Sequence, residues 1–364
     1  MRVGLLCGRH LPDQDGVADY TARLAAALTT YGVEPVLVGG AGGNGTVVAQ
    51  RWDLRGTVRA ARQLRRLDLD VLHVQWAPSA YGFRGAVGLL PLLLRGTPVV
   101  TTLHEYGCWA WPAQVPDRLW RLLEQRGWAD REGLLLTTRS RAVVATNEAH
   151  ARAQRSGRLP VVVPLVANVE VSAPVSARTP GLLVFFGFVH PVKGVRYLLE
   201  ALSGLRRQGR DLTLVVAGGF TSLALPQEQA RAFRAELEQL AEGLPVRFTG
   251  HLAAAEVSAL LRAAELVVLP LTAGVTTRNG ALLAAFAHGA PVVATAPDEP
   301  DPALVDGATV LLLPERRDGA ALARAVARAL DDPHLREQVA AGGERLAAGR
   351  SWDALAQRHM ELYP

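Results

Sequence analysis

Lysine is almost absent from this chain. Of 39 basic residues only Lys193 is a lysine, and all the others are arginine. There are two cysteines, Cys7 and Cys108, too few for a disulfide framework and without metal-ligand spacing. No apolar run reaches the ~18–20 residues that a membrane-spanning helix needs. The segment Met1–Gly8 is too short before Arg9 for a secretory apolar region, so it reads as a first strand. These absences lead to the expectation of a soluble, cytoplasmic protein, at the inner face of the membrane if it touches one.

At 364 residues and 49% hydrophobic content the chain is long for one core and suits two domains. A net charge of +5 and a pI near 9.7 favour anionic partners. No arginine cluster is interleaved with aromatics as a nucleic-acid surface requires, so no nucleic-acid partner is expected. A nucleotide, a phosphosugar and an anionic membrane surface fit the charge equally well.

The first half opens as a βαβ unit: strand Val3–Cys7, polar loop His10–Gly16, helix Val17–Tyr31, strand Glu34–Val38. Gly40, Gly42 and Gly45 form a G-x-G-x-x-G pattern, but it follows the second strand and Thr46–Ala49 is β-like, so it reads as a loop and not a dinucleotide fingerprint. Leu54–Leu67 reads as a helix with Arg55, Arg59, Arg62 and Arg66 near one solvated face. Strands follow at Val71–Trp76 and Pro98–Leu103, with a Pro/Ser/Gly loop (Pro78–Gly85) and a helix to Leu94 between them. His73 and His104 lie on or at the end of these strands, and ligands of parallel sheets bind beyond strand carboxyl ends. Asp117–Trp128 carries Leu119, Trp120, Leu122 and Trp128 with Arg118, Arg121 and Arg126. That mixture suits an interfacial helix with peripheral membrane contact, although Asp117, Glu124, Asp130 and Glu132 nearly balance its charge and such aromatics also build cores. Val143–Thr146 and Val161–Pro164 complete this half.

Val169–Gly181, rich in proline and serine, is the linker candidate. Domains are therefore expected over 1–170 and 171–345, with a C-terminal helix over 346–364 that crosses back to the first. Strands are expected at Leu182–Phe186, Leu212–Ala217, Val246–Thr249, Leu266–Leu269, Pro291–Ala294 and Thr309–Leu313, with helices such as Gln227–Leu240 and Ala320–Leu330. The fold class is α/β: two doubly wound, Rossmann-like domains with a central cleft.

The segment from Phe185 to Ala201 is strand, glycine-bearing loop and helix in succession. This arrangement offers backbone N–H groups and a positive dipole end to an anion. The lone lysine stands there, followed by Gly194. A compact ammonium meets a phosphate as a point charge, a role that whole-chain replacement by arginine has spared.

Gly187-Phe-Val-His-Pro-Val-Lys-Gly194 before an apolar helix resembles the phosphate-binding stretch of family-four glycosyltransferases of the GT-B architecture. Gly16-Val-Ala-Asp-Tyr20, Thr101-Thr-Leu-His-Glu105, Val215–Gly219, Gly250-His-Leu252, Ala263–Pro270 and His288–Ala294 match further pieces in order. The resemblance implies a retaining, metal-independent hexosyltransferase of cell-envelope or polysaccharide biosynthesis. Its donor would be a nucleotide-diphosphate sugar, with no other cofactor. The acceptor would be a saccharide, a lipid-linked molecule or a small molecule held by the amino-terminal domain. By the same resemblance Lys193 contacts the diphosphate, His104 the donor sugar and phosphate region, Gly16 marks a loop closing over the phosphates, and Gly250, His251 and Leu252 lie near the base and ribose.

Two departures stand out. Phe188 replaces an arginine that usually follows Gly187, and Thr276 and Ala284 stand where the family has paired glutamates. In their place lies Gly274-Val-Thr-Thr-Arg-Asn-Gly280, a glycine-bearing loop opening the helix Ala281–Ala287. Arg278 can supply a second cation, and Asn279 and Gly280 open N–H groups toward an anion. Lys193, Arg278 and His104 are thus the catalytic candidates. Competing readings are a nucleotide-sugar epimerase or hydrolase, a non-catalytic nucleotide-sugar binder, and a pyridoxal-phosphate lysine at Lys193.

Overall fold

The computed structural model of the protein describes residues 1–8, 16–40, 45–107, 109–112, 114–172, 177–220 and 225–364. His10 and Gly42 lie outside the described residues. The apolar runs of the first half become β1 (Arg2–Cys7), β2 (Glu34–Gly40), β3 (Thr46–Ala49), β4 (Val71–Trp76), β5 (Val99–Leu103), β6 (Ala142–Ala145) and β7 (Val161–Val162). They form one parallel sheet in the order β3-β2-β1-β4-β5-β6-β7. Every residue of β4 and β5 is buried, as expected where helices cover both faces of a parallel sheet. β3 pairs with β2, so a strand and not a helix follows the G-x-G-x-x-G pattern.

The second half supplies β8 (Thr179–Phe186), β9 (Thr213–Ala217), β10 (Val246–Gly250), β11 (Ala264–Leu269), β12 (Val292–Thr295) and β13 (Leu311–Leu313). Their order is β10-β9-β8-β11-β12-β13, again all parallel. Two compact units result: Met1–Leu165 with Ser351–Pro364, and Val166–Arg350. In each sheet the winding reverses beside the first strand, between β1 and β4 and between β8 and β11. Those reversals open the crevices where ligands of doubly wound sheets bind.

Several expected boundaries shift. Thr179–Gly181, expected as linker, begins β8, because Thr179 pairs with Ala264 and the Gly181 N–H donates to Glu265 Oε2 at 2.5 Å. The helix expected over Leu54–Leu67 is α-helical only to Leu64 and tightens to a 3₁₀ turn over Arg65–Leu67. The helix expected to reach Trp128 ends at Gln125, ahead of Gly127 in the left-handed conformation. The helix expected to end at Leu94 is a 3₁₀ turn, Gly85–Leu89, followed by one α-turn, Leu90–Leu93.

The helix Trp352–Met360, capped by Ser351 Oγ accepting from the Ala354 N–H, packs on the helix Gly16–Thr29 of the first unit. Trp352 lies 5.4 Å from the Tyr20 ring, and the Tyr31 hydroxyl donates to Asp353 Oδ1 at 2.5 Å.

Candidate active site

In the second unit the chain leaving β8 and the chain leaving β11 meet at the reversal. The Thr272 N–H and hydroxyl both donate to the Val192 carbonyl, at 3.0 and 3.3 Å. Gly194, with φ +71°, lies against Pro270. Lys193 closes the 3₁₀ turn Pro191–Lys193, which is capped by His190 Nδ1 accepting from the Val192 N–H. The helix Val195–Arg207 begins directly after, driven onto the sheet by Val195, Leu198, Leu199 and Leu202, all buried. Lys193 is half-buried and makes no ion pair or side-chain hydrogen bond among the described residues. Desolvation lowers its ammonium below the usual lysine range, and no carboxylate opposes that shift.

The β11 connection runs on into the turn before the apolar helix Gly280–Ala287. Asn279 Oδ1 accepts from the Thr276 N–H at 2.6 Å, and the Asn279 N–H donates to the Thr276 carbonyl at 2.9 Å. The Asn279 side chain is thus spent on the turn and does not cap the helix, so Gly280, Ala281 and Leu282 begin it without a side-chain acceptor. Arg278 is exposed on this turn. Asp301, from the loop after β12, accepts from both the N–H and the hydroxyl of Thr277 at 2.8 Å. Gly187 and Gly250 both have positive φ at the ends of β8 and β10, His251 is exposed and Leu252 half-buried.

In the first unit, His104 follows β5. Its N–H donates to the Trp76 carbonyl at 2.8 Å, and its Nε2 lies 2.9 Å from Gln75 Oε1. The Tyr20 ring meets it edge-on at 4.8 Å. Desolvation, then His150 and His359 nearby, pushes its pKa down to about 3, so the ring is neutral at physiological pH. Its Nε2 faces an amide oxygen and therefore carries the proton. Gly16 opens the helix Gly16–Thr29, next to residues outside the described set. His73, by contrast, has both ring nitrogens occupied, by Tyr363 and Thr102, each at 2.8 Å, and is structural. Among the described residues no three His, Cys, Asp or Glu side chains are grouped so as to hold a metal ion, and no helix is long and apolar enough to cross a membrane.

Residues 180–332 match the family model for Glycosyl transferases group 1. A phosphatidyl-myo-inositol mannosyltransferase of Mycobacterium leprae is 27% identical over 100% of this chain and 96% of its own length. An alpha-D-kanosaminyltransferase of Streptomyces kanamyceticus is 28% identical over 73% of this chain and 70% of that one. Among solved structures the Anabaena protein HepE, crystallised with UDP and glucose, superposes with a TM-score of 0.71 at 17% identity, covering 99% of this chain and 98% of its own. The protein is a glycosyltransferase of the GT-B architecture.

In this glycosyltransferase the β8 connection that carries Lys193 and Gly194 touches the β11 connection at Thr272 and Pro270, and the Thr276–Gly280 turn follows on that same β11 connection. Gly250 and His251 stand at the end of β10, two strands from β8 across the sheet. Two contributors were not singled out from the sequence. Gln75 is fully buried within a strand, where its polarity was the only signal. Asp301 sits in Asp298-Glu-Pro-Asp301-Pro302, a stretch that reads as plain surface loop.

Proposed function

We propose that the protein transfers a hexose from a nucleotide-diphosphate sugar to an acceptor hydroxyl, with retention of anomeric configuration and without a metal on the diphosphate. The observation that carries this reading is Lys193: a half-buried ammonium with no counter-charge among the described residues, at the crevice where the β8 and β11 connections touch. Such a group is poised for an anionic ligand that supplies the missing charge. The unblocked start of the helix Gly280–Ala287 adds aligned N–H dipoles, and Arg278 a second cation.

Charge on the departing diphosphate rises as the glycosidic bond breaks, so fixed cations and dipoles stabilise the transition state more than the ground state. The departing phosphate takes the acceptor proton in a front-face route. His104, neutral and with Nε2–H held by Gln75, positions the donor sugar through uncharged contacts. Retention, the front-face route and the role of His104 rest on the family resemblance. The relatives' names, which include a mannosyltransferase of a phosphoinositide and a D-inositol 3-phosphate glycosyltransferase of Frankia alni, support a hexosyl donor, a polyhydroxylated acceptor and a place in cell-envelope or polysaccharide biosynthesis.

The chain is proposed to work without the paired glutamates. Thr276 is half-buried, with its hydroxyl 3.4 Å from the Arg278 N–H, and Ala284 is fully buried in the core of the second unit. Their absence equally favours a binder that has lost turnover. Thermal stabilisation by a panel of nucleotide sugars tests donor binding, since a ligand at 100 times its dissociation constant adds ~2.7 kcal/mol. Product formation with that donor and a polyol acceptor then separates enzyme from binder. Loss of both stabilisation and product in Lys193→Met supports the site; undiminished turnover in that variant rejects it.

A further inference from the structure

The helix Asp117–Gln125 sorts its charges by sign in a way its sequence does not disclose. Glu124 is buried, with Arg131 Nε donating to its Oε1 at 2.9 Å and Arg131 Nη2 to its Oε2 at 3.1 Å. Asp130 is buried too, accepting from the Glu132 and Gly133 N–H groups at 2.9 and 2.8 Å and from the Tyr106 hydroxyl. Glu132, also buried, accepts from the Gly107 N–H at 2.7 Å. Asp117 is exposed but shares Arg131 at 3.4 Å. The four acids that balance this segment on paper are thus turned inward or already paired.

The outward residues are of one kind. Arg118, Arg121 and Arg126 are exposed, and no carboxylate among the described residues pairs with them. Between them Leu119, Leu122 and Trp128 are 43%, 44% and 53% exposed, and the Arg126 guanidinium lies 5.6 Å from the Trp128 ring centre. Residues 118, 121, 122 and 125 share one helical face. Trp120, the aromatic of the same helix that does build core, is buried on the other. The stripe Arg55, Arg59, Arg62, Arg66 differs: it is exposed, but among the described residues of its own segment, 54–67, only Leu54 is an exposed large apolar side chain, as on a solvated face.

We propose that the face formed by Arg118, Leu119, Arg121, Leu122, Arg126 and Trp128 docks on an anionic phospholipid surface. The apolar side chains enter the headgroup boundary, the indole sits at its polar edge, and the arginines meet lipid phosphates. Charge complementarity selects this occupant: a face with three uncompensated guanidinium groups repels a second copy of itself, whereas leucine and tryptophan alone would suit an uncharged protein. The face lies on the connection that leaves the carboxyl end of β5, the connection that also carries His104.

The test is sedimentation of the full chain with vesicles of phosphatidylglycerol and phosphatidylcholine in equal parts, and with phosphatidylcholine alone. The chain is expected to sediment with the anionic vesicles only, less so as salt rises. At ~1 kcal/mol for each surface arginine, Arg118→Gln with Arg121→Gln should lower the partition coefficient about thirtyfold. Leu119→Ser with Trp128→Ser should also release the protein, with melting temperature and nucleotide binding unchanged. Equal binding to neutral vesicles, variants that sediment like the parent, or a parent that stays in solution overturns the proposal. So does a dimer seen by light scattering and broken by Leu119→Ser, which would give the face to a second copy.

Discussion

A Cβ added to Gly194 would fall 1.9 Å from the carbonyl oxygen of Pro270. Backbone meets backbone there, so neither side can yield as a flexible side chain would. Gly194 also has φ +71°, a conformation that costs other residues of order 1 kcal/mol or more. Gly194→Ala is therefore expected to push the β8 and β11 connections apart, moving both the Lys193 turn and its neighbour. Calorimetry should show a fall in melting temperature of several degrees, at ~2–4 °C per kcal/mol for a unit of this size. Titration with UDP and GDP should show weaker binding of whichever the parent takes.

Lys193→Met separates function from stability. Burial lowers the lysine pKa in the folded chain, so between that value and the ordinary 10.5 the unfolded chain binds more protons. Stability therefore rises with pH through that window, and below it the charged lysine burdens the empty fold. The methionine variant is expected to melt no lower than the parent at neutral pH, and to lose that alkaline rise. Turnover should fall ~10²–10³-fold, as when one preorganised donor to a developing anion is removed. A variant that is both unstable and inactive would show Lys193 to be structural.

Asp301→Ala tests the support of the Arg278 turn. The carboxylate accepts from two groups of Thr277 and, through Oδ1, from the Ala303 N–H at 3.1 Å. Its removal leaves the largely buried Thr277 unpartnered, at ~1–3 kcal/mol, and loosens the turn that opens the helix Gly280–Ala287. Donor affinity should drop severalfold while Asp301→Asn, which keeps an acceptor oxygen, recovers most of it. Equal losses in both variants would mean that charge, not turn geometry, is what Asp301 supplies.

Legibility followed burial. Strands such as β4 and β5, buried on both faces, are unbroken apolar runs and were readable almost to the residue. The lone lysine was readable because every other basic position had become arginine. Helix Pro333–Ala348 was not: Gly342 and Gly343 interrupt its pattern. They are there for close packing, since Cβ atoms would lie 1.8 Å from the Ala308 carbonyl oxygen and 2.4 Å from Phe286 Cδ1. Asp301 and Gln75 stayed hidden because their partners, Thr277 and His104, are 24 and 29 residues away, and single-chain patterns carry no such pairing. The inward turn of Asp130 and Glu132 was hidden for the same reason, since Tyr106 and Gly107 are 24 and 25 residues away.

The buried histidines of the first unit make its stability pH-dependent. Desolvation pushes His104 down to about 3 and His359 to about 4, and lowers His73 well below its usual value. Each takes up a proton more readily in the unfolded chain, near 6.5, than in the fold. The contribution of the histidines is therefore level above about pH 6.5 and declines as pH falls toward about 4, by at most ~1.4 kcal/mol per pH unit for each group. Urea midpoints measured from pH 8 down to pH 5 should trace this decline. Turnover should not titrate through His104 in that range, because the ring stays neutral. Tyr363→Phe removes the hydroxyl 2.8 Å from His73 Nδ1 and leaves that buried nitrogen unpartnered, at ~1–3 kcal/mol. The variant's curve should lie below the parent's and parallel to it, because burial of the rings, and not the Tyr363 bond, sets the slope. A curve that instead flattens would assign the pH dependence to the His73–Tyr363 pair.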